Sequence, residues 1–230
     1  QELFLPVYNI KDFSGFSIPF RCIATDVGSG KAVVLESGEI VTALRSSMAI
    51  PSVFTAIDYK DTKLVDGGVV RNFPVRDVIG MGANYTIGVN LSQGLLTADK
   101  LNSAIDILYQ IGFYKDADDF QLERDLCNIL IEPPLADYSA ASFGSAQDLI
   151  DLGNEWGNKF YPRFKALADS LKRTNPGYHF QDNRLPDVQT VVIDDIRING
   201  LRHTTRTSFI NRLSLEKGKG YDGKELASAI

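Results

Sequence analysis

Asp66, Gly67 and Gly68 are the residues whose types and spacing point most directly to chemistry. They lie in residues 63–75, KLVDGGVVRNFPV, where a short apolar strand runs into a carboxylate and then into two glycines. Functional groups in open α/β sheets collect beyond the carboxyl ends of the strands, and glycine lets a backbone turn sharply there by adopting positive φ. Asp66 is therefore a candidate general base, although Asp-Gly-Gly read by itself is more typical of a plain turn.

The remaining reactive side chains indicate no metal or cofactor. Cys22 and Cys127 lie far apart without CxxC spacing, which indicates neither a disulfide scaffold nor a zinc site. Both stand in apolar, strand-like runs, so we expect buried free thiols. His179 and His203 have polar, turn-like neighbours and are predicted to be surface residues.

A glycine-rich stretch, residues 28–31 (GSGK), has some features of a phosphate-binding loop but fails the pattern. The motif needs glycine where Thr25 stands and serine or threonine where Ala32 stands. A nucleotide-binding α/β domain is therefore disfavoured.

Charge and hydropathy exclude two further classes. The 230 residues carry a net charge of −5 and the sequence pI is about 5.1, which argues against nucleic acid as a partner. No run approaches the roughly 18 apolar residues of a membrane-spanning helix, so we expect no transmembrane segment and any membrane contact to be peripheral.

The elements that must position Asp66 alternate between strands and helices. Apolar runs predict a hairpin over 18–27 and 31–36 and a short strand at 64–65 that enters Asp66. Helical spacing and strand-like runs then predict helices at 39–50, 74–81, 98–114 and 149–171 and strands at 85–90 and 127–131. The apolar stripe of the last helix is expected to face the core. This alternation is typical of an α/β fold with a mainly parallel sheet.

A polar, turn-rich segment at 173–189 contains two prolines and predicts a linker. We therefore expect one domain over 1–172 and a separate module over 190–230. That module shows a strand, a helix and a capping box in which Asp222 precedes Glu225 by three residues.

Residues 43–89 resemble the patatin-like phospholipase family. The ordered run contains LRSSMAIPSVF, KLVDGGVVRNFPV and YTIGVNLS; IPFRCIATDV-GSGK upstream and YSAASFGSAQDLIDLGNEW downstream fit the same pattern, over about 16–172. The resemblance implies a three-layer α/β domain and a serine-dependent lipid acyl hydrolase with a Ser-Asp dyad and no cofactor. It implies phospholipid or another lipid ester as substrate, a membrane surface as partner, and Asp66, in the Asp66-Gly67-Gly68 motif, as the proton acceptor.

The sequence departs from this family at the nucleophile. No GxSxG is present; the nearest approach is residues 15–19, GFSIP, and nothing marks Ser46 or Ser47 as a nucleophile. We expect this chain to be the C-terminal part of the catalytic domain, incomplete at its N-terminus and inactive alone because serine and oxyanion loop are missing. Asn72 and Pro74 recur in the family's turn and are predicted to be structural, and Arg71 receives no role.

Residues 190–230 are similar to the opening of a POTRA domain, with a strand, an Asn-Gly turn, a helix and a second helix. The resemblance implies a partial α+β module in an outer-membrane protein of the bacterial envelope, periplasmic or exported, with a barrel as a further partner. The alternative is an unrelated α+β appendage. The alternative function is a non-catalytic binding or assembly module of such a protein.

Overall fold

The computed structural model describes residues 2–92, 94–95, 97–101, 107, 110–135, 138, 142–177, 190–196, 198 and 205–229. Four strands within these residues form one sheet in the order β2-β1-β4-β3. The strands are β1 (Cys22–Asp26), β2 (Lys31–Leu35), β3 (Ile57–Tyr59) and β4 (Thr62–Asp66). The strand that ends at Asp66 thus lies inside the sheet, between β1 and β3.

Short connections set the direction of these strands. Residues 60–61 join β3 to β4, which pair antiparallel with Ile57 opposite Leu64. β1 and β4 are also antiparallel, with Ala24 opposite Asp66. Residues 27–30 join the neighbouring strands β1 and β2, as the predicted hairpin requires.

The prediction of a mainly parallel sheet is not confirmed. Strands β5 (Ile87–Val89) and β6 (Ile129–Ile131) do pair in parallel, but β4 pairs antiparallel with both of its neighbours. The physical reason lies in the connections, because a two-residue link can join only antiparallel strands, whereas a parallel pair needs a longer crossover. The part of the chain that the structure describes is therefore a mixed α/β fold.

Helices alternate with the strands along the chain. Their bounds are α1 (Ile40–Ser47), α2 (Val75–Gly80), α3 (Tyr114–Arg124), α4 (Ala146–Thr174), α5 (Arg206–Leu213) and α6 (Gly223–Ala229). The helices predicted at 39–50 and 74–81 are confirmed as α1 and α2. Most of the helix predicted at 98–114 lies outside the described residues, and Ala98–Lys100 is a 3-10 turn. Helix α3 has no counterpart in the sequence predictions.

Helix α4 differs from the expected core helix in its burial. Six apolar side chains lie at helical spacing and are half-buried: Leu149, Leu152, Trp156, Phe160, Phe164 and Leu167. No residue of the helix is buried, and Leu171 is 52% exposed. The stripe is therefore correct in position and is the more covered face of the helix, although its side chains are only half-buried.

The chain divides into two compact units, each with its own apolar core. One comprises Gln1–Cys22, Leu35–Arg45 and Asp182–Ile230, and Phe13 at its centre stacks on Phe16 with ring centroids 5.2 Å apart. The other comprises Ile23–Val34 and Ser46–Gln181 and buries Ile23, Leu64 and Ile129. The division into 1–172, 173–189 and 190–230 stays a prediction.

The C-terminal elements include the predicted capping box. Strands β7 (Val191–Val192) and β8 (Gly220–Tyr221) pair antiparallel, with α5 between them in the chain. The Glu225 amide donates to Asp222 Oδ1 at 2.8 Å, and the Asp222 amide donates to Glu225 Oε2 at 2.9 Å. These reciprocal bonds satisfy two amides at the start of α6. Assignment of this segment to a POTRA domain stays a prediction.

Other expectations have mixed outcomes. Cys22 and Cys127 are free, but both are half-buried rather than buried. His179 and His203 lie outside the described residues, as does most of the predicted linker. Among the described helices, none is both long and apolar enough to cross a membrane.

Candidate active site

Asp66 is the last residue of β4, and its main chain is held from two sides. The Asp66 amide donates to the Ala49 carbonyl at 3.0 Å. The Asp66 carbonyl accepts from Thr25 Oγ1 at 2.8 Å, and Thr25 is only 3% exposed. The backbone that carries the carboxylate is therefore fixed by β1 and by the segment that follows α1.

The Asp66 carboxylate uses only one of its oxygens locally. Oδ1 accepts from the Gly68 amide at 2.7 Å and so caps the 3-10 turn Gly67–Val69. Among the described residues, Oδ2 has no hydrogen-bond partner. Burial raises the pKa of Asp66 above its ordinary value of 3.8, and the bond from Gly68 only partly opposes that rise. The group is a stronger base than an exposed aspartate and has one oxygen left for a further donor.

Gly67 is required by close packing. A Cβ at this position would lie 2.3 Å from the Ile23 carbonyl oxygen, a main-chain atom of β1. A Cβ on Gly68 would meet softer neighbours, Asp66 Oδ1 at 3.0 Å and Asn72 Oδ1 at 3.1 Å. The prediction that these glycines supply positive φ is wrong, because neither adopts it. The absence of a side chain, rather than backbone freedom, is what brings the turn against β1.

Residues 70–74 connect the 3-10 turn to α2. The Val70 and Arg71 amides both donate to the Gly67 carbonyl, at 3.0 and 2.8 Å. Pro74 then stands at the N-cap of α2, which fits its predicted structural role. Phe73, which lies between Arg71 and Pro74 in the chain, is buried and packs edge-on against Phe120 of α3, with ring centroids 5.2 Å apart.

The structure gives no reason to assign a nucleophile from α1. Ser46 is completely buried, so its hydroxyl is closed to a substrate, and Ser47 is half-buried. Neither was predicted to be reactive. The site as described therefore contains a candidate base, Asp66, without an identified serine.

In the loop at 28–31, the Gly28 amide and the Ser29 hydroxyl are already bound to a carboxylate within the chain. The Gly28 amide donates to Asp26 Oδ1 at 2.8 Å, and Ser29 Oγ donates to Asp26 Oδ2 at 2.7 Å. A phosphate would have to displace a carboxylate to reach these donors. Within the described part of the chain, no group of three or more His, Cys, Asp or Glu side chains could hold a metal ion.

Sequence reasoning missed the partners that hold the Asp66 turn. The Ala49 carbonyl and the Ile23 carbonyl are main-chain groups, which leave no signal in residue type. Arg71, to which no role was assigned, donates through Nη1 to both carboxylate oxygens of Asp77, each at 3.0 Å. Arg71 and Asp77 are six residues apart across a turn, and this spacing gives no sequence signal that they form a pair.

Comparisons with known proteins agree with the resemblance around this turn. Residues 11–79 match the model of the family described as Patatin-like phospholipase. An uncharacterized NTE family protein of Mycobacterium bovis is 36% identical over 75 residues, 33% of this chain and 21% of that protein. Lysophospholipase NTE1 of Meyerozyma guilliermondii is 18% identical over 212 residues, covering 77% of this chain and 15% of the relative.

Lysophospholipase NTE1 of Kluyveromyces lactis is 21% identical over 206 residues, again 77% of this chain but only 14% of its own length. The chain thus spans about a fifth or less of the curated relatives it matches. The matched family model, residues 11–79, contains the whole Asp66 turn and the beginning of α2.

Proposed function

We propose that this chain supplies the catalytic base, Asp66, of a serine-dependent hydrolase that cleaves acyl esters of phospholipids or related lipids. The observation that carries the proposal is the Asp66 carboxylate itself: it is held by one oxygen, its pKa is raised by burial, and it stands in a turn inside the patatin-like match. The relatives named as lysophospholipases support a lipid substrate.

The chemistry assigned to Asp66 is proton transfer. Its carboxylate accepts the serine hydroxyl proton as the serine oxygen bonds to the ester carbonyl carbon. When the bond from that carbon to the alcohol oxygen breaks, Asp66 returns the proton to the leaving alcohol. Water then hydrolyses the acyl-serine by the same route. A base with a raised pKa accepts a proton more readily, and such assistance contributes about 10²–10⁴ in rate.

The nucleophile and the oxyanion donors belong, in this proposal, to a part of the protein that this chain does not include, since GxSxG is absent from the 230 residues. The chain alone is then inactive and needs no metal or cofactor. A cell-envelope location, with the 190–230 module next to an outer-membrane barrel, belongs to the same proposal and rests on the POTRA resemblance. In that setting a membrane surface presents the lipid.

The test compares the purified 230-residue chain with the protein encoded by the complete reading frame. We expect ester turnover and labelling by a serine-directed fluorophosphonate in the longer protein only. Asp66→Asn in that protein lowers kcat by about 10²–10⁴. Asp26→Asn, at an exposed turn with the same local hydrogen bond, leaves kcat unchanged.

Turnover by the 230-residue chain that disappears in Asp66→Asn would overturn the assignment of a missing nucleophile. A longer protein without turnover or labelling would favour the alternative, a non-catalytic binding or assembly module.

A further inference from the structure

An ion pair between Arg71 and Asp77 links the end of the Asp66 turn to helix α2. Arg71 follows the turn, and its amide is already bound to the Gly67 carbonyl at 2.8 Å. Its Nη1 donates to both Asp77 carboxylate oxygens at 3.0 Å, and the Asp77 side chain is only 17% exposed. One residue is therefore tied at its main chain to the turn and at its side chain to the first turn of α2.

Helix α2 is itself anchored by α3. Glu123 of α3 accepts from the Arg76 amide at 2.8 Å, and its side chain is only 8% exposed. This bond satisfies an amide at the start of α2 that has no partner within the helix. Asp77 thus stands on a helix end that α3 holds in place, which makes it a firm partner for Arg71.

The Asp66 turn contains Gly67 and Gly68 and therefore needs an anchor such as the Arg71–Asp77 pair. Two adjacent glycines have more conformational freedom in an unconstrained chain than any other pair. The Asp66 carboxylate depends on them, because Oδ1 is held by the Gly68 amide alone among the described residues. A displacement of about 1 Å in a reacting group can cost around 10²-fold in rate.

We propose that Arg71 and Asp77 are positioning residues that hold the Asp66 turn in the geometry needed for proton transfer. The inference rests on the proposed function of Asp66. Neither side chain touches the reacting atoms in this role. They act through the turn, by fixing the main chain at Gly67, which leads into Gly68 and its bond to Asp66.

The kinetic test uses Arg71→Gln and Asp77→Asn in the longer protein, each alone and both together. We expect each single variant to lower kcat about ten-fold while KM stays within about two-fold, since proton transfer rather than lipid binding is affected. The double variant falls no further, because either change breaks the same pair. Arg71→Lys restores most of kcat, because a single nitrogen makes both contacts to Asp77.

Arg76→Gln is the matched control. It removes the same charge at the start of α2, where Arg76 Nη1 lies 3.5 Å from Glu123 Oε1 and the Arg76 side chain is 59% exposed. It leaves the Arg76 amide and its bond to Glu123 in place, so kcat is unchanged. Equal losses of kcat in Arg76→Gln and Arg71→Gln, or additive losses in the double variant, would overturn the proposal.

A second measurement does not depend on activity. Amide hydrogen exchange in the 230-residue chain reports on the Gly68 and Arg71 amides, which donate to Asp66 Oδ1 and to the Gly67 carbonyl. We expect faster exchange at both in Arg71→Gln and Asp77→Asn, and wild-type exchange in Arg76→Gln. Unchanged exchange in the first two variants overturns the positioning role. If exchange rises while the longer protein lacks turnover, the proposed function fails, but the conclusion that Arg71 and Asp77 hold the turn stands.

Discussion

Two aspartates of this chain make the same local hydrogen bond and have opposite electrostatic outcomes. Asp26 ends β1 and accepts from the Gly28 amide at 2.8 Å; Asp66 ends β4 and accepts from the Gly68 amide at 2.7 Å. In each case Oδ1 caps the turn that follows, two residues on. The local motif alone therefore does not distinguish a structural carboxylate from a candidate base.

The difference comes from donors and burial. Asp26 is half-buried and also accepts from the Thr62 and Ser29 hydroxyls; these bonds outweigh the effect of burial and lower its pKa below 3.8. Asp66 has the Gly68 amide as its single described donor to the carboxylate, and burial raises its pKa. Extra donors stabilise the charged form, whereas desolvation penalises it. A carboxylate prepared to accept a proton is the one that the fold buries and leaves with few donors.

The glycines of the two turns also differ in how closely neighbouring atoms pack against them. A Cβ on Gly28 would lie 3.3 Å from Thr62 Oγ1 and 3.4 Å from Asp26 Oδ1, which are both side-chain atoms able to move. A Cβ on Gly67 would lie 2.3 Å from the Ile23 carbonyl oxygen and 2.6 Å from its carbon. The Asp66 turn is pressed against the sheet, and the Asp26 turn is open.

The largest effect expected from this contrast is that of Gly67→Ala. Its methyl group overlaps main-chain atoms of β1, so either β1 or the turn must move, at a cost of about 3 kcal/mol in the free energy of unfolding. Gly28→Ala, the matched control, costs less than about 1 kcal/mol. Denaturant unfolding of both variants measures the difference. Equal costs would show that the Asp66 turn is no more tightly packed than the Asp26 turn.

The sequence allowed the position of Asp66 to be predicted, but not its surroundings. An apolar run, a carboxylate and two glycines suffice to place a strand end and a turn, and β4 and its 3-10 turn agree. The close approach of the Ile23 carbonyl depends on which strand pairs with β4, and nothing in the local sequence records that pairing. Residue patterns identify elements better than they identify neighbours distant in the chain.

The same limit explains why a mainly parallel sheet is not confirmed and why the stripe of α4 is less buried than expected. Alternating strands and helices favour parallel pairing, but the two-residue link before Thr62 makes β3 and β4 antiparallel. The periodicity of Leu149 to Leu167 predicted a helix and its apolar face correctly. It carried no information about how much of that face the rest of the chain covers, which depends on tertiary packing.

A smaller effect is expected where threonine hydroxyls support the two aspartates. Thr25→Val removes the donor to the Asp66 carbonyl at a site only 3% exposed, and we expect a loss of about 1 kcal/mol in unfolding free energy. Thr62→Val removes a donor to the Asp26 carboxylate at a site that is only half-buried, and we expect it to cost less. Denaturant midpoints compare the two isosteric changes. A larger loss in Thr62→Val would contradict the importance of burial in this comparison.

The smallest effect, and the most direct test of the contrast, is the pH dependence of stability. The folded chain binds the Asp66 proton more tightly than the unfolded chain, so ionisation of Asp66 costs stability as pH rises from about 3.8 through its raised pKa. Asp66→Asn removes that cost, and its stability relative to wild type increases over this range. Asp26 behaves oppositely: its lowered pKa contributes stability that is present above 3.8 and lost as pH falls through the lowered value. Asp26→Asn therefore loses stability relative to wild type as pH rises from the lowered pKa to about 3.8, and the difference stays constant above that pH. Unfolding free energies measured from about pH 2 to 7 should give slopes of opposite sign for the two variants, below about pH 3.8 for Asp26→Asn and above it for Asp66→Asn. Slopes of the same sign would show that burial does not separate these carboxylates.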